Sequence, residues 1–281
     1  MTAVTAPPAA TGPAKAPLRQ TAAAAFGALL LRDLAVLRKT LREFIARTIL
    51  QPLLLVFVFT YVFPKIGQGV GGSDGASATF SSVLVAGVVA TAILFQGILS
   101  VSLPLVQEFG HTREIEDRVL APLPVSLVAF EKIVAGGLEC LLAGLIVFPI
   151  ATVVPATPVH LEVAWPILLS LVPLACLMSG ALGLMFGTAF EPRTVPLLFG
   201  VILVPITFLG STYYSWQALE AIRWLQVVSL VNPLVYLSEG FRAALTPVPH
   251  MSLLAVYPIV VAFTGVFTWL GIRGFARRVV V

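Results

Sequence analysis

Six apolar stretches take up most of this 281-residue chain. A helix crosses the hydrocarbon core of a bilayer with roughly 20 apolar residues, about 17 at the shortest. In lipid the backbone has no water to bond to, so such stretches fold as helices that satisfy their own N–H and C=O groups. They lie at 48–64, 80–106, 133–154, 165–190, 195–214 and 251–272. The expected fold is all-α, a polytopic membrane protein with six transmembrane helices. The chain is 58% apolar and only 11% charged, whereas a soluble domain is about a quarter charged, so a soluble globular class is excluded.

The remaining residues sort by their relation to those spans. Residues 1–21 are rich in Ala, Pro and Thr and lack the apolar run of a signal peptide, and they read as a disordered cytoplasmic tail before a transmembrane domain over 22–281. Residues 26–44 have helical periodicity. Leu30, Leu34, Leu37, Leu41 and Phe44 share one stripe, and Arg32, Lys39, Arg42 and Glu43 fall opposite, with Asp33 the one charge near the stripe. Such an amphipathic helix is expected in the membrane interface, apolar face in lipid. A further apolar run at 225–237 is interrupted by Asn232-Pro233. It is too short to span and is expected as an external re-entrant segment before the last span.

Charge sets the orientation. With the N-terminus in the cytoplasm and six spans, only Lys65, Arg223 and Arg242 fall outside; a seventh span would carry Arg273, Arg277 and Arg278 across as well, against the positive-inside rule. Both termini are therefore expected in the cytoplasm. The net charge of +4 is not gathered into one patch, so no nucleic-acid partner is expected, and membrane lipids are.

Several chemistries have no residues to carry them. Cys140 and Cys176 sit inside apolar stretches, and His111, His160 and His250 lie on three different loops without metal-ligand spacing. The chain has no Gly-Lys dipeptide, so it has no GxxxxGK[ST] phosphate loop. No cofactor is expected in this chain, and it is not expected to be an enzyme.

The charges concentrate in the segment 108–124, with Glu108, His111, Arg113, Glu114, Glu116, Asp117 and Arg118 closed by Pro122 and Pro124. Residues 111–120 suit a short surface helix that Pro122 ends, with Ser126 as the cap of the next helix. Glu114–Arg118 and Arg113–Asp117 are i,i+4 pairs. On residues alone two readings stand: a solvated loop that keeps itself helical, or a rigid element that passes force from a soluble partner to the two spans it joins.

The run Glu114-Ile115-Glu116-Asp117-Arg118-Val119-Leu120-Ala121-Pro122-Leu123-Pro124 resembles the cytoplasmic segment of type-2 ATP-binding cassette permeases. The branch it resembles holds daunorubicin-resistance permeases and nodulation lipo-oligosaccharide exporters. A second run, from Asn232-Pro233-Leu234 through Tyr236 and Glu239 to Arg242, is similar to that branch's motif before the last span. The resemblance covers about residues 22–278. It implies that 108–124 is a coupling segment docked into a separate ATPase subunit through Glu114, Glu116, Asp117 and Arg118, with the N-terminal helix bracing the same subunit. It also implies that ATP and Mg are bound by that partner, and that two permeases pair, as a homodimer or with a paralogue. The implied function is export of hydrophobic or amphipathic cargo such as a drug, lipid or glycolipid across the cytoplasmic (inner) membrane. The alternatives are a polysaccharide or lipo-oligosaccharide exporter, an ion-coupled carrier and a non-transporting receptor.

Two other constellations invite a role. Glu139 lies seven residues beyond Lys132 inside the third span, about 10 Å deeper along a helix. It is read either as a polar contact for cargo or a gate, or as a buried hydrogen bond to a neighbouring span, or as a carboxyl protonated in place. Asn232 suits a helix N-cap with Pro233 in the first turn. Tyr236, Glu239 and Arg242 then follow on one face, so this segment is expected to be tied by a Glu239–Arg242 pair rather than to touch cargo.

Overall fold

The computed structural model describes residues 18–66, 74–112, 123–155, 159, 161–190 and 199–279, and among them all regular structure is helical. Helix α1 (Leu18–Lys39) is followed after one residue by α2 (Leu41–Phe57). α2 runs on through a π-helical turn, Val58–Val62, to Lys65. α3 (Asp74–Gln107) ends in a second π-helical turn, Glu108–Thr112. α4 (Val125–Val153) and α5 (Trp165–Ala189) complete a central group. Beyond them come a π-helical turn Phe199–Leu203, α6 (Val204–Phe208), a 3₁₀ segment Trp216–Ile222, α7 (Arg223–Ser229), α8 (Pro233–Leu245) and α9 (Leu253–Val279).

Five of the described helical stretches are long and apolar enough to cross a membrane: Leu41–Val62, Thr79–Gly110, Val125–Val153, Trp165–Ala189 and Leu253–Val279. The segment expected at 195–214 is different. Its described part is two five-residue helical pieces that give way to turns at 209–211, with Ser211 at positive φ.

The N-terminal region departs from the expected 26–44 helix. Helix begins at Leu18 and breaks at Thr40, whose hydroxyl bonds back to Val36 O at 3.2 Å. A hydroxyl competing for a helical carbonyl in this way favours a bend, and residues from Leu41 onward belong to the first span. Part of the apolar stripe meets protein, while Leu41 stays exposed. Leu37 and Phe44 are buried with Ala143 of α4, and Ala22, Ala25, Phe26 and Leu29 pack against a cluster that includes Val101, Leu105, Val128 and Phe275. The helix before the third span also starts earlier than expected. It enters at Pro124 with no side-chain cap; the fixed φ of proline suits a helix entry, and Pro124 O accepts from Leu127 N at 2.8 Å.

α3 is the centre of the bundle, buried for 89% of its span window against 17% for α9, which is why it meets so many neighbours. Close approach depends on small residues, the usual device where lipid supplies no hydrophobic drive between helices. A Cβ on Gly183 of α5 would lie 2.5 Å from Gly97 O of α3, and one on Gly180 would lie 2.7 Å from Ile133 O of α4.

The two ends of the bundle are well defined. At one end, the N-terminal helix, the end of α3, the start of α4 and the last turns of α9 share one apolar cluster. There Arg278 of α9 donates to Phe190 O, just past α5, at 2.5 Å and stacks over Phe109 at 5.5 Å. At the other end, Ala164 N at the start of α5 donates to Ala244 O of α8 at 2.8 Å.

Candidate functional site

Three polar constellations are built into the apolar bundle. The first is a charged joint on Lys132. Its ammonium lies 2.6 Å from Glu108 Oε1 and 3.4 Å from Asp33 Oδ2, with Lys132 and Glu108 buried and Asp33 partly so. One cation thus ties α1, the π-helical end of α3 and the first turns of α4. Asp33, the charge near the apolar stripe of the N-terminal helix, sits there because that stripe packs on α4, where Lys132 awaits it. A buried ammonium needs its counter-charges close by. Lys132 reads in sequence only as a cation flanking a span, and Glu108 as the first charge of a loop. The one signal for the joint is an acid placed where an amphipathic helix should be apolar.

The second constellation contains Glu139. Its Oε2 accepts from Gln96 Nε2 of α3 at 3.2 Å, and Gln96 Oε1 accepts from the Thr48 hydroxyl of α2 at 3.3 Å. This places Glu139 in a hydrogen-bonded relay across three helices. The same side chain also lines a cavity of about 690 Å³ between α1, α2, α3 and α4, a volume in the range of small-molecule sites. Arg47, Phe44, Leu99, Leu103 and Lys132 contribute to its wall. Glu139 is thus both hydrogen-bonded to a neighbouring helix and part of a cavity wall.

The third constellation is α8, every residue of which is buried. Asn232 caps it: its Oδ1 accepts from Leu234 N at 3.0 Å while its Nδ2 donates to Ile206 O at 2.7 Å. Tyr236 donates its hydroxyl to Leu230 O at 2.9 Å. Glu239 and Arg242 form an ion pair with neither side chain exposed. Glu239 further accepts from Trp216 N at 2.7 Å and Met251 N at 2.8 Å, and Arg242 donates to Ser211 O at 3.0 Å and Tyr214 O at 3.3 Å. The pair is a knot that fastens the chain before α7 and the chain before α9 to one helix. None of the four residues presents an exposed polar group, so the arrangement is suited to holding rather than to binding.

Glu114, Glu116, Asp117 and Arg118 lie outside the described residues. Glu108 marks one edge of their segment and Leu123, buried in the same cluster as Phe275, marks the other. Among the described residues no group of His, Cys, Asp and Glu is arranged to hold a metal ion.

Comparison with known proteins places this architecture. A family model described as ABC-2 type transporter matches residues 24–246, from within α1 through the end of α8. The inner membrane transport permease YadH of Escherichia coli strain K12 is 26% identical over 204 residues, covering 72% of this chain and 76% of YadH. YadH of Shigella flexneri aligns with the same identity and coverage.

Proposed function

The chain belongs to the ABC-2 type transporter family, and from that membership we propose that it is the inner-membrane permease subunit of a two-component exporter of hydrophobic or amphipathic cargo. Membership in this family implies an ATPase partner. In the proposed arrangement ATP and Mg are bound and turned over on that separate subunit, and two permeases, identical or paralogous, stand side by side with the pathway between them.

Coupling runs through 108–124. Glu114, Glu116, Asp117 and Arg118 dock on the ATPase, and motion of the docked segment enters the membrane through the two helix ends that flank it. The observation that carries this reading is the Lys132 joint. It grips the end of α3 through Glu108 and α1 through Asp33 from the first turns of α4, so these three elements move together when the segment between them is pushed. α1, on the same end of the bundle, braces the same partner in this arrangement.

The chain crosses the bilayer six times in this reading. Phe190 sits at the end of the bundle that holds α1 and Arg278, whereas Ser211 is bonded to Arg242 of α8 at the opposite end. Their positions at opposite ends of the bundle support a sixth crossing between Phe190 and Ser211. Cargo chemistry follows from the walls: outward apolar side chains such as Leu50, Leu54 and Phe57 on α2 and Val201, Val204 and Phe208 around α6 favour apolar or amphipathic molecules over small ions. An ion-coupled carrier would need several embedded ionisable groups along a path, and among the described residues Lys132, Glu108 and Asp33 are tied in one joint and Glu239 and Arg242 in another.

The test is the ATPase rate of the candidate partner subunit in proteoliposomes, with the intact chain and with the Glu114→Ala/Glu116→Ala variant. The intact chain is expected to co-purify with the partner and change its rate, and the variant to lose that effect. Failure of the intact chain to bind or alter any cassette ATPase overturns the reading.

A further inference from the structure

The cavity of about 690 Å³ between α1, α2, α3 and α4 has a charge pattern that selects among ligands. Its wall carries three basic and four acidic side chains. Lys132 is already held by Glu108 and Asp33, so a wholly anionic guest would meet an excess of carboxylate. Three of the remaining charges, Glu43, Arg47 and Glu139, are open, and Glu43 is exposed at the rim four residues before Arg47. Glu139 gives one oxygen to Gln96 and makes no other hydrogen bond among the described residues, although an ionised carboxylate has about four acceptor positions. Arg47 is exposed at the cavity's edge and makes no hydrogen bond among the described residues. Both residues line this one cavity, and among the described residues no ion pair joins them. A gap with a guanidinium on one side and a carboxylate on the other is the complement of a zwitterion. Phe44, Leu99 and Leu103 continue the wall as an apolar surface.

From this we infer that the cavity binds the headgroup of an amine-bearing phospho-amphiphile, its primary ammonium on Glu139, its phosphate on Arg47 and its first acyl carbons along Leu99 and Leu103. Arg is suited to phosphate by its forked donors, and a primary ammonium can donate to Glu139 as a lipid lacking an amine cannot. The inference needs only this cavity and does not depend on the transport reading. The same chemistry is offered by a resident bilayer lipid and by cargo.

The full chain is reconstituted in nanodiscs of phosphatidylcholine with equal small fractions of phosphatidylethanolamine and phosphatidylglycerol, and the lipids it retains are counted by native mass spectrometry. A charge-assisted contact predicts that the ethanolamine lipid is retained about tenfold over the glycerol lipid. Glu139→Gln and Arg47→Gln should each remove most of that preference. Arg47 is exposed, so its variant keeps the packed core and decides the matter if Glu139→Gln does not fold. Equal retention of the two lipids by the intact chain, or a preference untouched by Arg47→Gln, overturns the inference while leaving ATPase coupling intact. With the partner ATPase and ATP added, depletion of the retained lipid identifies cargo, and steady occupancy identifies a resident lipid; either supports the site.

Discussion

Glu239 and Arg242 have no exposed side-chain surface, and their bonds run to backbone groups in two separate stretches of chain. Removing one partner leaves the other charge buried and uncompensated, at a cost of about 3–5 kcal/mol, whereas replacing both with apolar groups of similar size is often far milder. Glu239→Ala and Arg242→Ala should therefore each lower the unfolding temperature of the purified chain in detergent sharply, and Glu239→Met/Arg242→Met should lower it less than either. A double variant as damaged as the singles would mean that the backbone contacts, not the charge balance, carry the stability. Much of this knot is legible in the sequence: Asn232-Pro233 announces a helix start, and i,i+3 spacing pairs the two charges. Its acceptors and donors at Ser211, Tyr214, Trp216 and Met251 are backbone groups, and backbone groups leave no mark on a sequence. Asp33 is the reverse case, a visible oddity on an apolar stripe whose partner becomes identifiable only when α1 is laid against α4.

At the scale of elements, α3 and α5 touch because Gly97 and Gly183 let their backbones meet. A Cβ at position 183 would press on Gly97 O at 2.5 Å and on Ile98 Cα at 3.0 Å, and neither is the end of a flexible side chain. Gly183→Ala is expected to destabilise the bundle by about 1–3 kcal/mol, the usual range for overpacking. Gly265→Ala on α9, where nothing lies within 4 Å, should be harmless; comparing the unfolding temperatures of the two variants tests whether packing or glycine content matters. A different pair of variants addresses the charged joint. Lys132→Gln leaves Asp33 and Glu108 facing each other without their shared cation, so hydrogen exchange should quicken in α1 while the α3–α5 core stays protected. Lys132→Arg should retain most of the protection. Unchanged exchange in α1 after Lys132→Gln would show that the apolar contacts of Phe26, Leu29 and Leu37 hold that helix alone. Long apolar runs make the spanning helices readable from composition, but not their ends. Thr40 and Pro124 move two boundaries by local backbone chemistry, and the N-terminal helix reads as lipid-facing because a periodic stripe does not say whether lipid or protein will cover it.

For the whole molecule the open quantity is how many times the chain crosses the bilayer, and the ends of the bundle bear on it. α1 and the last turns of α9 pack into one cluster, with Phe26 and Phe275 among its members. Two segments that share a cluster at one end of a helical bundle lie on one side of the membrane, so the number of crossings between them must be even. Five described helical stretches are long enough, so an even count would need a sixth crossing, and the two helical pieces ending in α6 are separately too short to span. A backbone carbonyl left over at a helix end inside a membrane needs a protein donor, and Asn232 Nδ2 supplies one to Ile206 O near the end of α6. Single cysteines introduced at Arg38 and at Arg277, in a background with Cys140 and Cys176 replaced by Ser, should accordingly react with a membrane-impermeant maleimide from the same face of sealed vesicles. A cysteine at Gln217, beyond α6, should react from the opposite face. Labelling of the Arg38 and Arg277 positions from opposite faces would mean an odd number of crossings and would place the stretch around α6 as a loop returning to the side it left. In that case the shared cluster could not form in the membrane.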